Sequence, residues 1–433
     1  MKTRSSFKME KIMRMVNEDR LSSLPDELIH IIFSFLDMKV VLSTSLLSRR
    51  WRDLWKCVPV INIDKIKWYH GVNFKRVKYN NFVDRLLLKN MSDIKRLCLN
   101  CGGYTDSRMV ETWIYFAVRR HVQELCLDDF VPNWKFLNYI GGNIKTLQLV
   151  GVIVMGYSET GQLDIDFEAV EDLKMKNCDY AYSNHVNIYA PRLSKLVLSS
   201  DEAFSLSKIR VTAPNLKQLD CKIKTEKDYS YIDLSSLVTS HIDTIIASWD
   251  NRARESEVLT NCFKKVFRKV ANARSLTVSA CGFQIRSEGP NILKPTSISF
   301  HDIRYLKLKD WCGGNHSKAI PRMIEAFPDI ETLVSERHKL DTNGRKGWES
   351  DLSAKFMQCD FKSVEFQSDG DWWNNELEFL EFLLGEATML KDVTLTILQK
   401  EKPYYRGRKL VMLPTTSSSE RILVKPTKIT ARR

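Results

Sequence analysis

One short pattern returns along most of this chain: an apolar residue, two polar ones, leucine, any residue, a second apolar residue. It reads Ile94-Lys-Arg-Leu97-Cys-Leu99, Val122-Gln-Glu-Leu125-Cys-Leu127 and Ile144-Lys-Thr-Leu147-Gln-Leu149. It continues at Val170–Met175, Leu193–Leu198 and Leu216–Cys221, then resumes at Ala273–Val278 and Ile303–Leu308, with a weakened copy at Ile330–Leu333. The central leucines are spaced by 28, 22, 26, 23 and 23 residues, then by 30 and 27 after a gap of 57. The alternation in Leu-x-Leu places two side chains on one face of a short strand and turns the residue between them to solvent. A single copy specifies only a half-buried strand. Eight copies at near-constant spacing specify one supersecondary unit per twenty-odd residues, stacked so that neighbours share a core.

That periodicity is the signature of a leucine-rich-repeat solenoid, an α/β fold whose strands form a parallel sheet lining a concave face. The variable strand positions, among them Cys98, Cys126, Gln148, Lys174 and Lys307, are expected on that face. Leu234 and Leu237 mark a degenerate unit within the gap, and residues 243–269 read as a helical insertion or the convex side of a long repeat. Cys178 and Cys281 fall three places beyond a strand's last apolar residue, where buried thiols filling a turn are expected.

Residues 24–55, LPDELIHIIFSFLDMKVVLSTSLLSRRWRDLW, are organised differently. Ser23, Pro25, Asp26 and Glu27 supply a hydroxyl cap, an early proline and first-turn acids, a helix start. Leu28, Ile31, Ile32 and Phe35 recur at i, i+3, i+4 and i+7 as one apolar stripe. Val40, Val41, Thr44 and Leu47 begin a second short pattern, and Ser48 precedes a third that carries Trp51 and Trp55. Three such patterns in about thirty residues are too small to bury a core alone, so the segment is expected to dock onto something else.

This segment resembles the F-box in its plant form, where LPDELI and FL precede TS.LS.RW..LW. The resemblance implies attachment to the Skp-type adaptor of a cullin–RING ubiquitin ligase. It implies adaptor contacts at Leu24, Pro25, Leu28, Ile31 and Trp51. The family commonly has proline and threonine before the lysine of the inter-helix turn. Here Asp37 and Met38 precede Lys39, and the turn is expected to be less rigid.

Near the C-terminus, Asp360–Phe366 and Leu390–Ile397 read as strands flanking a helix with Leu377, Leu380, Leu383 and Leu384 on one face. Strand–helix–strand predicts a right-handed parallel crossover. This part resembles the FBD module that ends many plant F-box/leucine-rich-repeat proteins, and it is expected to cap the open end of the solenoid. The organisation read from the sequence is a basic tail over 1–18, the F-box over 19–60, repeats over 61–345, the FBD-like module over 346–400 and a basic tail over 401–433.

The net charge of +13 invites a nucleic-acid reading until its location is counted. Residues 400–433 carry a net +8 and residues 1–20 a net +3, leaving +2 for 21–399. A phosphate-tracking surface puts its charge on the folded body. Solvated ends or a nuclear-import signal explain the tails better, and nucleic acid is not the expected partner. No stretch approaches eighteen apolar residues, so no membrane partner is expected. The first twenty residues lack the apolar centre of a secretory signal, which points to nucleus or cytoplasm. The ten cysteines are accordingly expected as buried thiols; the lone CxxC, Cys98 and Cys101, has no second pair, and no metal or cofactor is expected.

Catalytic patterns are missing from the sequence: it has no HExxH, GxxxxGK, GxGxxG or GxSxG, and its eight histidines stand apart. Trp68, Tyr69, Trp113, Phe130, Trp134, Tyr180, Tyr182 and Trp311 are candidate recognition aromatics, with a core role the alternative for each. The reading is a non-catalytic, substrate-recruiting subunit of a Skp–cullin–F-box ligase, with the target protein unspecified. The alternatives are a basic-tailed nucleic-acid or chromatin-associated scaffold and a small-ligand-sensing F-box receptor.

Overall fold

A computed structural model describes residues 23–64, 69–70, 73–74, 76–101, 106–156, 161–181, 183–199, 208–224, 234–245, 267–279, 300–309, 327–337, 362–368, 392–397 and 421–426. The chain folds as two compact units, residues 1–155 and 156–433.

The first unit opens with helices α1 (Asp26–Ser34), α2 (Met38–Thr44) and α3 (Trp51–Leu54), followed by a 3-10 turn at Trp55–Cys57. The N-terminal position of α1 is Pro25, whose carbonyl accepts the N–H groups of Leu28 and Ile29 and whose ring presets φ at −58°. At the next junction Asp37 Oδ1 accepts the N–H of Lys39 at 2.8 Å and Oδ2 accepts that of Asp64 at 2.7 Å. Met38 beside it is fully buried. The turn expected to be loose is tied at both of its carboxylate oxygens.

Strand β1 (Val60–Ile63) leads into a short antiparallel pair, β2 (Tyr69–His70) and β3 (Asn73–Phe74), and then α4 (Arg76–Lys89). Strands β4 (Arg96–Asn100), β5 (Glu124–Asp128) and β6 (Thr146–Val150) alternate with α5 (Ser107–Arg119) and α6 (Trp134–Gly141) before β7 (Ile153–Met155). Strands β1, β4, β5 and β6 pair in that order, all parallel. Register stacks Ile61, Leu97, Leu125 and Leu147 in one row and Ile63, Leu99, Leu127 and Leu149 in the next. Every one of these eight is buried. At roughly 1.5–3 kcal/mol per fully buried aliphatic side chain, the two rows anchor the unit. Asp106 and Asn133 cap α5 and α6 by accepting the N–H groups of Arg108 and Lys135.

The second unit repeats the ladder with a different outer side. Its strands are β8 (Gln162–Asp166), β9 (Asp172–Lys176), β10 (Asp179–Ala181), β11 (His185–Tyr189), β12 (Lys195–Ser199), β13 (Lys208–Thr212) and β14 (Gln218–Lys224). They continue as β15 (Thr239–Ile245), β16 (Ser275–Ser279), β17 (Tyr305–Lys309), β18 (Thr332–Arg337), β19 (Ser363–Ser368), β20 (Asp392–Ile397) and β21 (Arg421–Pro426). From β9, β12 and β14 through β21 the pairing is parallel throughout. Strands β8, β11 and β13 form a separate parallel sheet. In these 23-residue repeats the alternation in Val186-x-Ile188 and Ile209-x-Val211 makes the second element a strand.

The central row runs Leu173, Leu196, Leu219, Ser240, Leu276, Leu306, Leu333 and Val364. Behind its later members Phe300 lies edge-on to Phe267 at 6.0 Å and stacks on Phe327 at 4.6 Å, all three buried. Leu234 and Leu237 do precede a strand, β15, as the degenerate repeat required. Of the expected insertion, residues 246–266 lie outside the described residues.

Strands β19 and β20 are adjacent and parallel, the pairing that the strand–helix–strand order predicts. The helix expected at 376–384 lies outside the described residues. These strands do not end the ladder. β21, inside the segment read as a basic tail, pairs with β20 from Asp392↔Arg421 to Ile397↔Pro426. The alternation Ile422-x-Val424 is what qualifies it as a strand, and counting charge alone hid it.

Candidate functional site

Helix α1 is apolar on two sides. Ile29 and Phe33, one turn apart, are buried with Met38, Val41 and Trp51. At 100° per residue, Leu28, Ile31, Ile32 and Phe35 fall on a separate arc about 120° away. These four are 46%, 54%, 38% and 82% exposed. The stripe read as an amphipathic face is thus the outward one. Val40 on α2 and Leu46 and Leu47 after it are also exposed, the latter two at 88% and 68%. A small domain whose core is already filled gains nothing by leaving such groups in water; apolar patches of this kind mark interaction sites.

The scaffold beneath is specific. Trp51 meets Phe33 edge-on at 5.6 Å, and a ring nitrogen of His30 lies 3.2 Å from the Leu54 carbonyl. Arg50 Nη2 donates to the Leu24 carbonyl at 2.6 Å, and its guanidinium also pairs with Asp26. Of the five nominated residues, Pro25, Leu28 and Ile31 are exposed and Leu24 is half-buried. Trp51 is 5% exposed, so its side chain supports the face from inside rather than forming it. Sequence reasoning left out Phe35, Leu46 and Leu47 as site residues. The signal for Phe35 was a helix with more apolar residues than one buried face needs; Leu46 and Leu47 lie in the turn that follows Thr44.

The other candidate surface is the outward set of strand residues. In the second unit these engage one another across strands. Lys307 Nζ lies 2.6 Å from Glu336 Oε2 and donates to Gln367 Oε1 at 3.2 Å. His241 Nδ1 lies 3.3 Å from Asp220 Oδ1, and Lys195 Nζ 3.5 Å from Asp172 Oδ2. Three of the eight nominated aromatics belong elsewhere. Trp113, Phe130 and Tyr180 are core residues, and Trp113 Nε1 donates to Asp84 at 2.6 Å. Trp134 is half-buried, while Trp68, Tyr182, Trp311 and the Tyr69 side chain lie outside the described residues. Nor are the cysteines uniformly buried: Cys57 is exposed, and Cys98, Cys126 and Cys178 are intermediate. Among the described residues no three His, Cys, Asp or Glu side chains form a metal-binding group.

Residues 21–61 match the F-box domain family. An F-box/LRR-repeat protein of Arabidopsis thaliana is 30% identical over 224 residues, covering 49% of this chain and 70% of the relative. The chain belongs to the F-box/LRR-repeat family. Two further F-box/LRR-repeat relatives from Arabidopsis thaliana extend the likeness over most of the length. One, an F-box/FBD/LRR-repeat protein, is 23% identical over 436 residues, 94% of this chain and 99% of the relative. The other, an F-box/LRR-repeat protein, is 24% identical over 408 residues, 81% of this chain and 84% of the relative. Helices α1–α3 lie within the residues that match the F-box, and the parallel ladders of both units are consistent with leucine-rich-type repeats.

Proposed function

We propose that this F-box/LRR-repeat protein is a substrate-recruiting subunit of a Skp–cullin–F-box ubiquitin ligase. The observation that carries the reading is the exposed arc Leu28, Ile31, Ile32 and Phe35, standing on an F-box whose own core is complete. The arc docks on the Skp-type adaptor with Pro25 and Leu24 at its edge. The strand-face residues of the ladders then hold a target protein. The chain makes and breaks no bond itself. It raises the local concentration of the ubiquitin-charged conjugating enzyme around the target's lysines, in the nucleus or cytoplasm.

The test is copurification of the coexpressed full chain and a Skp-type adaptor. Leu28→Asp with Ile31→Asp changes only exposed side chains, so the thermal transition stays in place. Adaptor recovery is expected to fall to background, as for two hot-spot losses of about 2 kcal/mol or more each. Undiminished recovery with the double variant refutes the docking assignment. Trp51→Ala is a poor probe here, because it empties the core under the same face.

A further inference from the structure

We propose that Cys98 and Cys126 form a peroxide-oxidisable dithiol on the strand face of the first unit, with Arg96 as its positioning residue. The two cysteines are directly opposed on the parallel neighbours β4 and β5, in the row Asn62, Cys98, Cys126 and Gln148. Strands in a sheet lie about 4.8 Å apart. Directly opposed residues therefore fall within the Cα separation of roughly 4.4–6.8 Å that a disulfide spans. Both thiols are partly accessible. They open into a pocket of about 370 Å³ that Phe35, Asp64, Asn100 and Asp128 also line.

Arg96, two residues below on the same face, serves both sulfurs. Its Nε donates to Cys98 Sγ at 3.3 Å and its Nη2 to Cys126 Sγ at 3.8 Å. The carboxylates around the pair are Glu124, 3.9 Å from Arg96 Nε, Asp128 beyond Cys126, and Asp37 and Asp64 across the same pocket. The neighbouring Cys98 thiol and the Arg96 charge hold the Cys126 thiol below the ordinary thiol value, against burial and Asp128. Cys98, beside Cys126 and partly buried, is pushed up and keeps its proton. One thiol is thus the nucleophile and its neighbour the resolving group, the arrangement that makes a cysteine oxidisable.

The oxidant is hydrogen peroxide. The Cys126 thiolate attacks one peroxide oxygen; the S–O bond forms, the O–O bond breaks, and hydroxide leaves to be protonated to water. Cys126 is oxidised to the sulfenic acid and the peroxide is reduced. Cys98 sulfur then attacks Cys126 sulfur. The S–S bond forms, the S–O bond breaks, and the Cys98 proton leaves with the hydroxyl as a second water. Arg96, within reach of Cys98 throughout, favours the thiolate form in this second step.

The experiment treats the full chain with hydrogen peroxide, blocks residual thiols and maps peptides by mass spectrometry without reduction. The expected product links residues 97–108 to residues 121–135, persists in Cys101→Ser and vanishes in Cys98→Ser. In Cys98→Ser the Cys126 sulfenic acid accumulates and is captured by dimedone. At pH 7 Cys126 is alkylated faster than the exposed Cys57, and Arg96→Gln removes that advantage severalfold while the thermal transition is retained. Peroxide that oxidises Cys57 yet yields no linked peptide overturns the proposal. So does a Cys126 alkylation rate that Arg96→Gln leaves unchanged.

Discussion

Asp37 accepts the backbone N–H of Asp64, 27 residues away, through one carboxylate oxygen while the other caps α2 at Lys39. The F-box is thereby stitched to the end of β1. Asp37→Ala leaves two N–H groups without their acceptor, a loss of about 2–3 kcal/mol. Hydrogen exchange checks it: the Lys39 and Asp64 amides lose protection together, whereas a merely local cap would release Lys39 alone.

Trp51 fills the F-box core, yet its indole Nε1 has no hydrogen-bond partner among the described residues. Trp51→Phe therefore gives up no polar contact and keeps an edge-on ring against Phe33. It is expected to cost less than about 1.5 kcal/mol in thermal unfolding. Trp51→Ala is expected to cost about 3–5 kcal/mol. Equal costs for the two would mean that the ring edge is not what packs.

Ser240 occupies a leucine position. It lies between Leu219 and Leu276 in the central row, fully buried, with its hydroxyl unpartnered among the described residues. Ser240→Ala removes a desolvated polar group without adding volume, and is expected to stabilise the second unit by about 1 kcal/mol. Chemical denaturation reads the change directly.

Asp220 titrates below the usual carboxyl range, because His241 hydrogen-bonds to it and attracts it more than burial opposes. A carboxyl lowered in the folded state adds stability above its unfolded pKa of about 3.9, and that stability is lost as pH falls through the folded value. Wild type is thus expected to exceed Asp220→Asn in urea unfolding at pH 5.5. The gap narrows as pH falls below about 3.9 toward the lower folded value. A gap that widens with acid reverses the sign and removes the pairing.

The leucine ladder was legible because its period is local: Leu97, Leu125 and Leu147 announce themselves within six-residue windows. The outer elements were less so. Strands β8, β11 and β13 carry only two apolar residues each, the same signal as any half-buried strand. Their 23-residue spacing identifies them once the apolar residue six places before each central leucine (Phe167, Ala190, Ala213) is included. The same extended pattern finds β15 through Leu234, Leu237, Ser240 and Ile242, where Leu-x-Leu fails. For the F-box, its motif located the helices, but periodicity could not assign the apolar stripe to inside or outside. Only packing decides that, because Ile29 and Phe33 look no more hydrophobic than Ile31 and Phe35. Arg96 and the two cysteines are separated by up to 30 residues, and strand register alone brings them together.

The serine in the leucine row has a consequence for cooperativity. In a stack where each rung touches only the rungs beside it, stability is a chain of nearest-neighbour couplings. Replacing a four-carbon side chain by a hydroxymethyl group thins two couplings at once, Leu219 to Ser240 and Ser240 to Leu276. What the side chains give up there the backbone keeps: β14 and β15 stay paired over seven residues, from Gln218↔Thr239 to Lys224↔Ile245.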